Sequence, residues 1–260
     1  MRGFADKSFD LVLTSPPYDN LRDYNGYSFD FEWTAREIQR VLKDGGVCVW
    51  VVGDATIKGS ETGTSFKQAL YLKEIGMNLH DTMIWEKHSF SNPCPNRYHS
   101  VFEYMFVFSK GKPKTFNPLK DRKNIKAGVE TSSTVRERDG SITKRSRKTI
   151  AEYGTRFNVW KMNNVSSQKG TRNKDHAHPA AFPLSLAKDH ILSWSNEGDT
   201  VLDPFLGSGT TTLACQQLNR NAIGIEISEE YCEIARKRFE KGTIVYQQPT
   251  PMKSTPDEGE

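Results

Sequence analysis

The stretch Thr200-Val201-Leu202-Asp203-Pro204-Phe205-Leu206-Gly207-Ser208-Gly209-Thr210-Thr211 decides how this chain folds. A short apolar strand runs into a glycine-rich turn, and a helix opens at Thr210 and continues to Leu218. Such a turn lets a ligand approach the backbone closely, and the unpaired N–H groups of the helix N-terminus face it. A lone Gly-x-Gly is weak evidence, so the next strand matters. Ala222 to Glu226 ends in Gly224-Ile225-Glu226, and an acid at that tip can accept both hydroxyls of a ribose. The alternative for Glu226 is an exposed helix-capping carboxylate.

A dinucleotide would ask for a third glycine, whereas Thr210-Thr211-Thr212 follow here, which argues against NAD. A carboxylate at Asp203 would repel a pyrophosphate and attract an ammonium group. S-adenosylmethionine carries a ribose, an ammonium and a sulfonium, and so suits both acids.

Outward from this turn, helical spacing runs from Glu229 to Lys241 downstream and from Pro183 to Ser193 upstream. At the other end of the chain, Phe9 to Thr14 reads as a buried strand and Glu32 to Leu42 as a helix stopped by Gly45-Gly46. Val47 to Val52 is the next strand, Gly63 to Ile75 a second helix and Leu79 to Trp85 a third strand. This β-α-β-α-β order predicts right-handed crossovers and a parallel sheet covered by helices. Val101 to Phe108 adds a strand. Regularity is then lost to about Lys174, apart from apolar islands such as Phe157-Asn158-Val159-Trp160.

The first strand ends abruptly in Ser15-Pro16-Pro17-Tyr18. Two prolines lack N–H groups and fix φ, so they stop strand pairing and hold a rigid extended turn. An aromatic ring is presented beside unpaired carbonyls, which suits a flat substrate with N–H donors; alone, the turn reads equally as an ordinary strand end.

The 260 residues, 36% hydrophobic and 26% charged, fit one large α/β domain with an insertion. Mean hydropathy is -0.65, so some segments are strongly polar. The absence of a membrane-length apolar run or signal-peptide pattern leads us to expect a cytoplasmic protein without a membrane partner. Cys48, Cys94, Cys215 and Cys232 form no C-x-x-C pair, so neither a zinc site nor a disulfide framework is expected. Net charge is +4, yet residues 110–150 hold thirteen Lys or Arg against four Asp or Glu. Such a run is either a solvated insertion or a surface for phosphate. We expect a catalytic half over 1–109, an insertion over 110–175, a cofactor-binding half over 176–248 and a disordered tail over 249–260.

Together, Thr14-Ser15-Pro16-Pro17-Tyr18, the motif from Asp203 to Thr211 and Gly224-Ile225-Glu226 resemble the DNA methyltransferases that modify the exocyclic amino groups of cytosine or adenine. The order, with the catalytic motif first, resembles the beta arrangement of that family. Trp85-Glu86-Lys87, Phe102-Glu103-Tyr104 and His178-Pro179-Ala180-Ala181-Phe182-Pro183 fall where such enzymes carry comparable segments. The resemblance implies a Rossmann-like sheet with helices on both faces, S-adenosylmethionine as cofactor and DNA as partner, with the basic insertion as the target-recognition region. Ser15, Pro16, Pro17 and Tyr18 would be catalytic. His178, Pro179, Asp203, Pro204, Phe205, Gly207, Ser208, Gly209, Thr210, Thr211 and Glu226 would surround the cofactor. A cognate restriction endonuclease and a second copy of the chain stay open as further partners. Relatives commonly carry another segment ahead of the first strand, and its absence leads us to expect weaker cofactor binding.

Ser before Pro-Pro-Tyr resembles the cytosine-N4 branch, and Asp-Pro-Pro-Tyr is the commoner adenine-N6 form. We therefore expect cytosine-N4 methylation, with adenine-N6 as the alternative and a silent DNA-binding relative as a third reading. Carbon-5 methylation would need a thiolate. Cys94 sits in a polar Asn-Pro loop and reads as an ordinary loop residue.

Overall fold

The computed structural model describes residues 1–17, 29–90, 95–131, 134–144, 147–163 and 182–245, with side chains to residue 240. Strand β1 (Phe9–Thr14) leads to helix α1 (Phe31–Val41), β2 (Leu42–Val52), the small hairpin β3 (Thr56–Ile57) and β4 (Ser60–Glu61), and α2 (Thr64–Glu74). After β5 (Asn78–Glu86) and β6 (Phe102–Ser109) come the short strands β7 (Arg122–Lys123), β8 (Glu130–Thr131), β9 (Thr134–Arg136), β10 (Ile142–Lys144), β11 (Lys148–Thr149) and β12 (Tyr153–Gly154). The chain continues with β13 (Val159–Lys161), α3 (Leu184–Trp194), β14 (Thr200–Asp203), α4 (Thr210–Gln217), β15 (Asn221–Gly224) and α5 (Glu229–Val245).

Among the described residues, seven strands form the central sheet in the order β13-β5-β6-β2-β1-β14-β15. The expected parallel sheet is present with one difference: β6 runs antiparallel to both neighbours, β2 and β5. A parallel return needs a crossover long enough to regain the starting edge, usually a helix. The link from β5 to β6 shows no helix among its described residues, so β6 begins where β5 ends, and Lys87 N donates to Val101 O at 2.6 Å.

The central strands are buried on both faces, which is why they read as apolar runs. Along β2, Val47, Val49 and Val51 enter one core with Leu186 and Ile191 of α3 and Ala214 of α4. Cys48, Trp50 and Val52 enter the other with Ile38 of α1 and Leu72 of α2. Helix α1 starts where the Asp30 carboxylate accepts from Trp33 N at 3.0 Å, a side-chain N-cap, and it buries Thr34, Ala35, Ile38 and Val41 at helical spacing. Gly45 and Gly46 do not stop this helix as expected: it ends at Val41, and the glycines lie inside β2 beside a register irregularity against β1.

Two further differences fall in the basic stretch. Residues 159–161 are no loose island but an edge strand parallel to β5, and Trp160 is buried in the main core. Between 122 and 154 the short strands pair in nested antiparallel fashion, β7 with β12, β8 with β11 and β9 with β10. Burial keeps the thiol of Cys48 far above its usual range and pushes Cys215 up to about 12, as expected of core cysteines. Cys94 and the tail from 249 lie outside the described residues. Among the described residues no helix is long and apolar enough to cross a membrane.

Candidate active site

Strands β1 and β14 are parallel neighbours, with Leu11 opposite Val201 and Val12 opposite Leu202. The chain leaves β1 toward β2 on one side and β14 toward β15 on the other. The carboxyl ends of these two strands therefore form the switch point of the sheet, where open α/β folds bind ligands. The Ser15-Pro16-Pro17 turn leaves one end and the glycine-rich turn leaves the other, so both motifs predicted from sequence converge.

Asp203, the last residue of β14, joins them. Thr14 Oγ1 donates to its Oδ1 and Thr211 Oγ1 to its Oδ2, both at 2.6 Å, and Phe205 N donates to Oδ1 at 3.1 Å. The residue is 2% exposed, and burial outweighs these three hydrogen bonds, raising its pKa to about 6; the Glu226 charge pushes the same way. From sequence, this carboxylate is expected to attract an ammonium group. In the structure its oxygens are engaged by the protein itself, and it acts from beneath the turn as a buried charge and a joint between the two motifs.

Glu226 stands two residues beyond β15. Its Oε2 accepts from Gly207 N at 2.8 Å, and its Oε1 accepts from Ile227 N and Ser228 N at 3.0 and 2.9 Å. Three N–H donors fix the carboxylate at the rim of the glycine-rich turn, and an ionised carboxylate has about four acceptor sites, so capacity for a hydroxyl remains. Helix α4 opens from Gly209 at φ +81°, and a Cβ there would sit 2.8 Å from Ala235 Cβ of α5. We expect Gly209→Ala to lower the melting temperature and weaken cofactor binding together, because left-handed backbone costs a non-glycine residue roughly 1 kcal/mol before any clash. Differential scanning fluorimetry with and without cofactor would check it; an unchanged shift would contradict it.

Phe205 forms an edge contact with Phe29 at 5.0 Å between ring centroids and another with the buried Trp50 at 6.5 Å. Trp50 is held by its indole N–H, which donates to Gln68 Oε1 of α2 at 2.9 Å. The turn is thus backed by aromatic rings. Ser208, Thr210 and Thr211 are buried, and Pro204 lies in the same turn. Pro16 is buried, while Ser15 and Pro17 are half-buried at the end of β1. Tyr18, His178 and Pro179 lie outside the described residues.

Two contributors escaped sequence reasoning. Thr14 reads from sequence as the end of a buried strand and the first residue of the proline motif, with no role of its own. Arg238 of α5 sends Nη1 to Ser208 O at 2.5 Å and Ser208 Oγ at 2.8 Å, clamping the turn from outside, and burial depresses its pKa. One signal was available for Arg238: within the run Arg236-Lys237-Arg238 it is the cation spaced three and four residues after Ala235 and Ile234, on the apolar stripe of the helix.

A buried carboxylate below the turn, a second at its rim and an aromatic wall fit a cationic ligand bearing a ribose. The arrangement suits an α/β enzyme with a cationic, ribose-bearing cofactor beside a turn whose oxygens can accept hydrogen bonds from an amine. The family model described as DNA methylase matches residues 9–237, and the chain belongs to that family of S-adenosylmethionine-dependent DNA methyltransferases. It is 56% identical over 246 residues to the orphan methyltransferase M.BamHII of Bacillus amyloliquefaciens, spanning 93% of this chain and 92% of that protein. With the type II methyltransferase M.SmaI of Serratia marcescens it shares 31% identity over 92% of this chain and 87% of the relative. Among solved structures, the M1.HpyAVI complex with S-adenosylmethionine superposes with a TM-score of 0.57 at 26% identity, covering 89% of each chain. The cytosine-N4-specific PvuII DNA methyltransferase gives 0.66 at 24% identity, covering 94% of this chain and 86% of that one, a likeness of fold.

Proposed function

We propose that this enzyme methylates the exocyclic N4 of cytosine in DNA and works without a dedicated restriction enzyme. The observation that carries the reading is the meeting of Ser15-Pro16-Pro17 with the glycine-rich turn, joined through Thr14, Asp203 and Thr211. Ser15 supports cytosine over adenine, and the orphan designation of the 56% identical relative supports the solitary role.

The cofactor supplies an electrophilic methyl group. The residues of the chain do the rest. An exocyclic amine is a poor nucleophile because its lone pair is delocalised into the ring. The Ser15 hydroxyl and the Pro16 carbonyl accept its two N–H groups, drawing the nitrogen toward a pyramidal geometry as attack begins. This help is stronger in the transition state than in the ground state. The prolines hold these acceptors rigid, so alignment need not be regained at each turnover. Tyr18 stacks on the target base once it leaves the duplex, offsetting part of an unstacking cost of a few kcal/mol. Glu226 holds the ribose, and Asp203, Phe205, Gly207, Ser208, Gly209 and Thr210 shape the methionine side, which His178 and Pro179 help to close. The basic region 110–175 recognises the target, between a catalytic half over 1–109 and a cofactor half over 176–248.

The test is to incubate the purified protein with S-adenosylmethionine and unmethylated DNA, digest to nucleosides and identify the product by mass spectrometry. N4-methylcytosine is expected. N6-methyladenine would replace the cytosine assignment, and the absence of any methyl transfer would favour a silent DNA-binding relative.

A further inference from the structure

We propose that the antiparallel ribbon between residues 122 and 154 enters the major groove of duplex DNA, with Thr134, Arg136, Ile142 and Lys144 facing the base edges. The inference rests on the DNA-methylating role above and names the surface that selects the sequence.

Arg136 pairs with Ile142 and Thr134 with Lys144 across β9 and β10. Directly opposed residues share a face, as do residues two apart, so these four side chains form one face and Val135 and Thr143 the other. All four are exposed, Ile142 by 62%. Among the described residues neither Arg136 nor Lys144 meets a carboxylate. The contrast is the base of the ribbon, where Arg156 is bound by Asp121 and Asp189 and lies 5.1 Å over the Trp160 ring. Asn117 fastens the preceding segment to the end of α3 by donating to Leu192 O and Ser195 O at 3.1 and 3.2 Å. A fixed base thus carries arms with unpaired cations.

A two-stranded ribbon alone is marginally stable in water, and this one also exposes Ile125 and Val129. Its composition points to a polyanionic partner: from 122 to 154 there are nine Lys or Arg and four Asp or Glu. The major groove, about 12 Å wide, admits a two-stranded ribbon. The chosen face mixes a guanidinium for guanine, a hydroxyl for any base, an aliphatic side chain for the thymine methyl and an ammonium, which is a reading set rather than a row of phosphate contacts. The opposite face carries no charge in β9 and β10.

The experiment compares the full-length protein with the double variant R136Q/K144Q, whose substitutions are exposed and leave the core untouched. Cofactor affinity is read by calorimetry, duplex affinity by fluorescence anisotropy across a salt series, and base preference by binding selection from a random-sequence duplex pool. The expected result is unchanged cofactor affinity, duplex binding weakened about tenfold or more, a shallower salt slope and a broadened selected sequence. Weaker binding with an unaltered selected sequence would overturn base reading by this face. Unaltered binding would overturn the surface itself. Since none of these readouts requires methyl transfer, a failed methylation assay would sink the catalytic reading without touching this one.

Discussion

Substituting Ser15 by Ala is expected to lower kcat about 100- to 1,000-fold, the usual loss on removing one preorganised polar contact to a reacting group. Cofactor affinity should not change if, as proposed, the hydroxyl acts on the amine of the base. The discriminating measurement is single-turnover methyl transfer alongside calorimetric cofactor binding. A variant that keeps its single-turnover rate would show that the amine is held elsewhere. One that loses cofactor binding in proportion would make Ser15 a structural part of the cofactor site. The size of the effect follows from rigidity: with Pro16 and Pro17 immobile, no neighbouring acceptor can move in as a substitute.

Asp203→Asn is expected to separate stability from function. With a folded pKa of about 6, Asp203 holds its proton more tightly in the folded protein than in the unfolded chain. Stability therefore falls as pH rises from about 4 to about 6, and above that window the buried charge costs about 3 kcal/mol. Asn carries no such cost, so the variant should melt at or above the wild-type temperature at pH 8, and the difference should shrink at pH 5. In the proposed site the same charge would attract a cationic cofactor. Two opposite unit charges roughly 8 Å apart at an effective dielectric of about 20 attract by about 2 kcal/mol, or about 30-fold in Kd. Wild-type cofactor binding should weaken on acidification through about pH 6, whereas the variant binds weakly throughout. Calorimetry at pH 8 and 5.5 checks this; equal affinities at both pH values in the wild type would remove Asp203 from the electrostatics of the site.

Much of this architecture was legible in the chain because the relevant signals are local. Apolar runs mark β1, β2 and β14, and glycine with φ-fixing proline marks the two turns at the carboxyl ends of β1 and β14. Strand direction is not local. The residues of β6 read as a strand either way, and only the short return from β5 makes it antiparallel. The ribbon escaped notice because its strands are two or three residues long and exposed on both faces, so burial imposes no alternation on them. Trp160 reads from sequence as an island because the strand it pairs with, β5, lies more than seventy residues earlier. Thr14 was missed for a related reason: a hydroxyl in a buried strand declares its role only when its acceptor, 189 residues away, is brought beside it.

That pairing of β1 with β14 also bears on how the chain folds. The strand that leads into Ser15 is synthesised first, but its neighbour emerges only with the last quarter of the chain. The loop that must close between them spans nearly two hundred residues, a contact of very high order that forms late in folding. A nascent chain on the ribosome therefore carries the proline turn without Asp203 or the glycine-rich turn. Until synthesis has passed β14 and α4, the proline turn lacks the hydrogen bonds through Thr14, Asp203 and Thr211 that tie it to the glycine-rich turn.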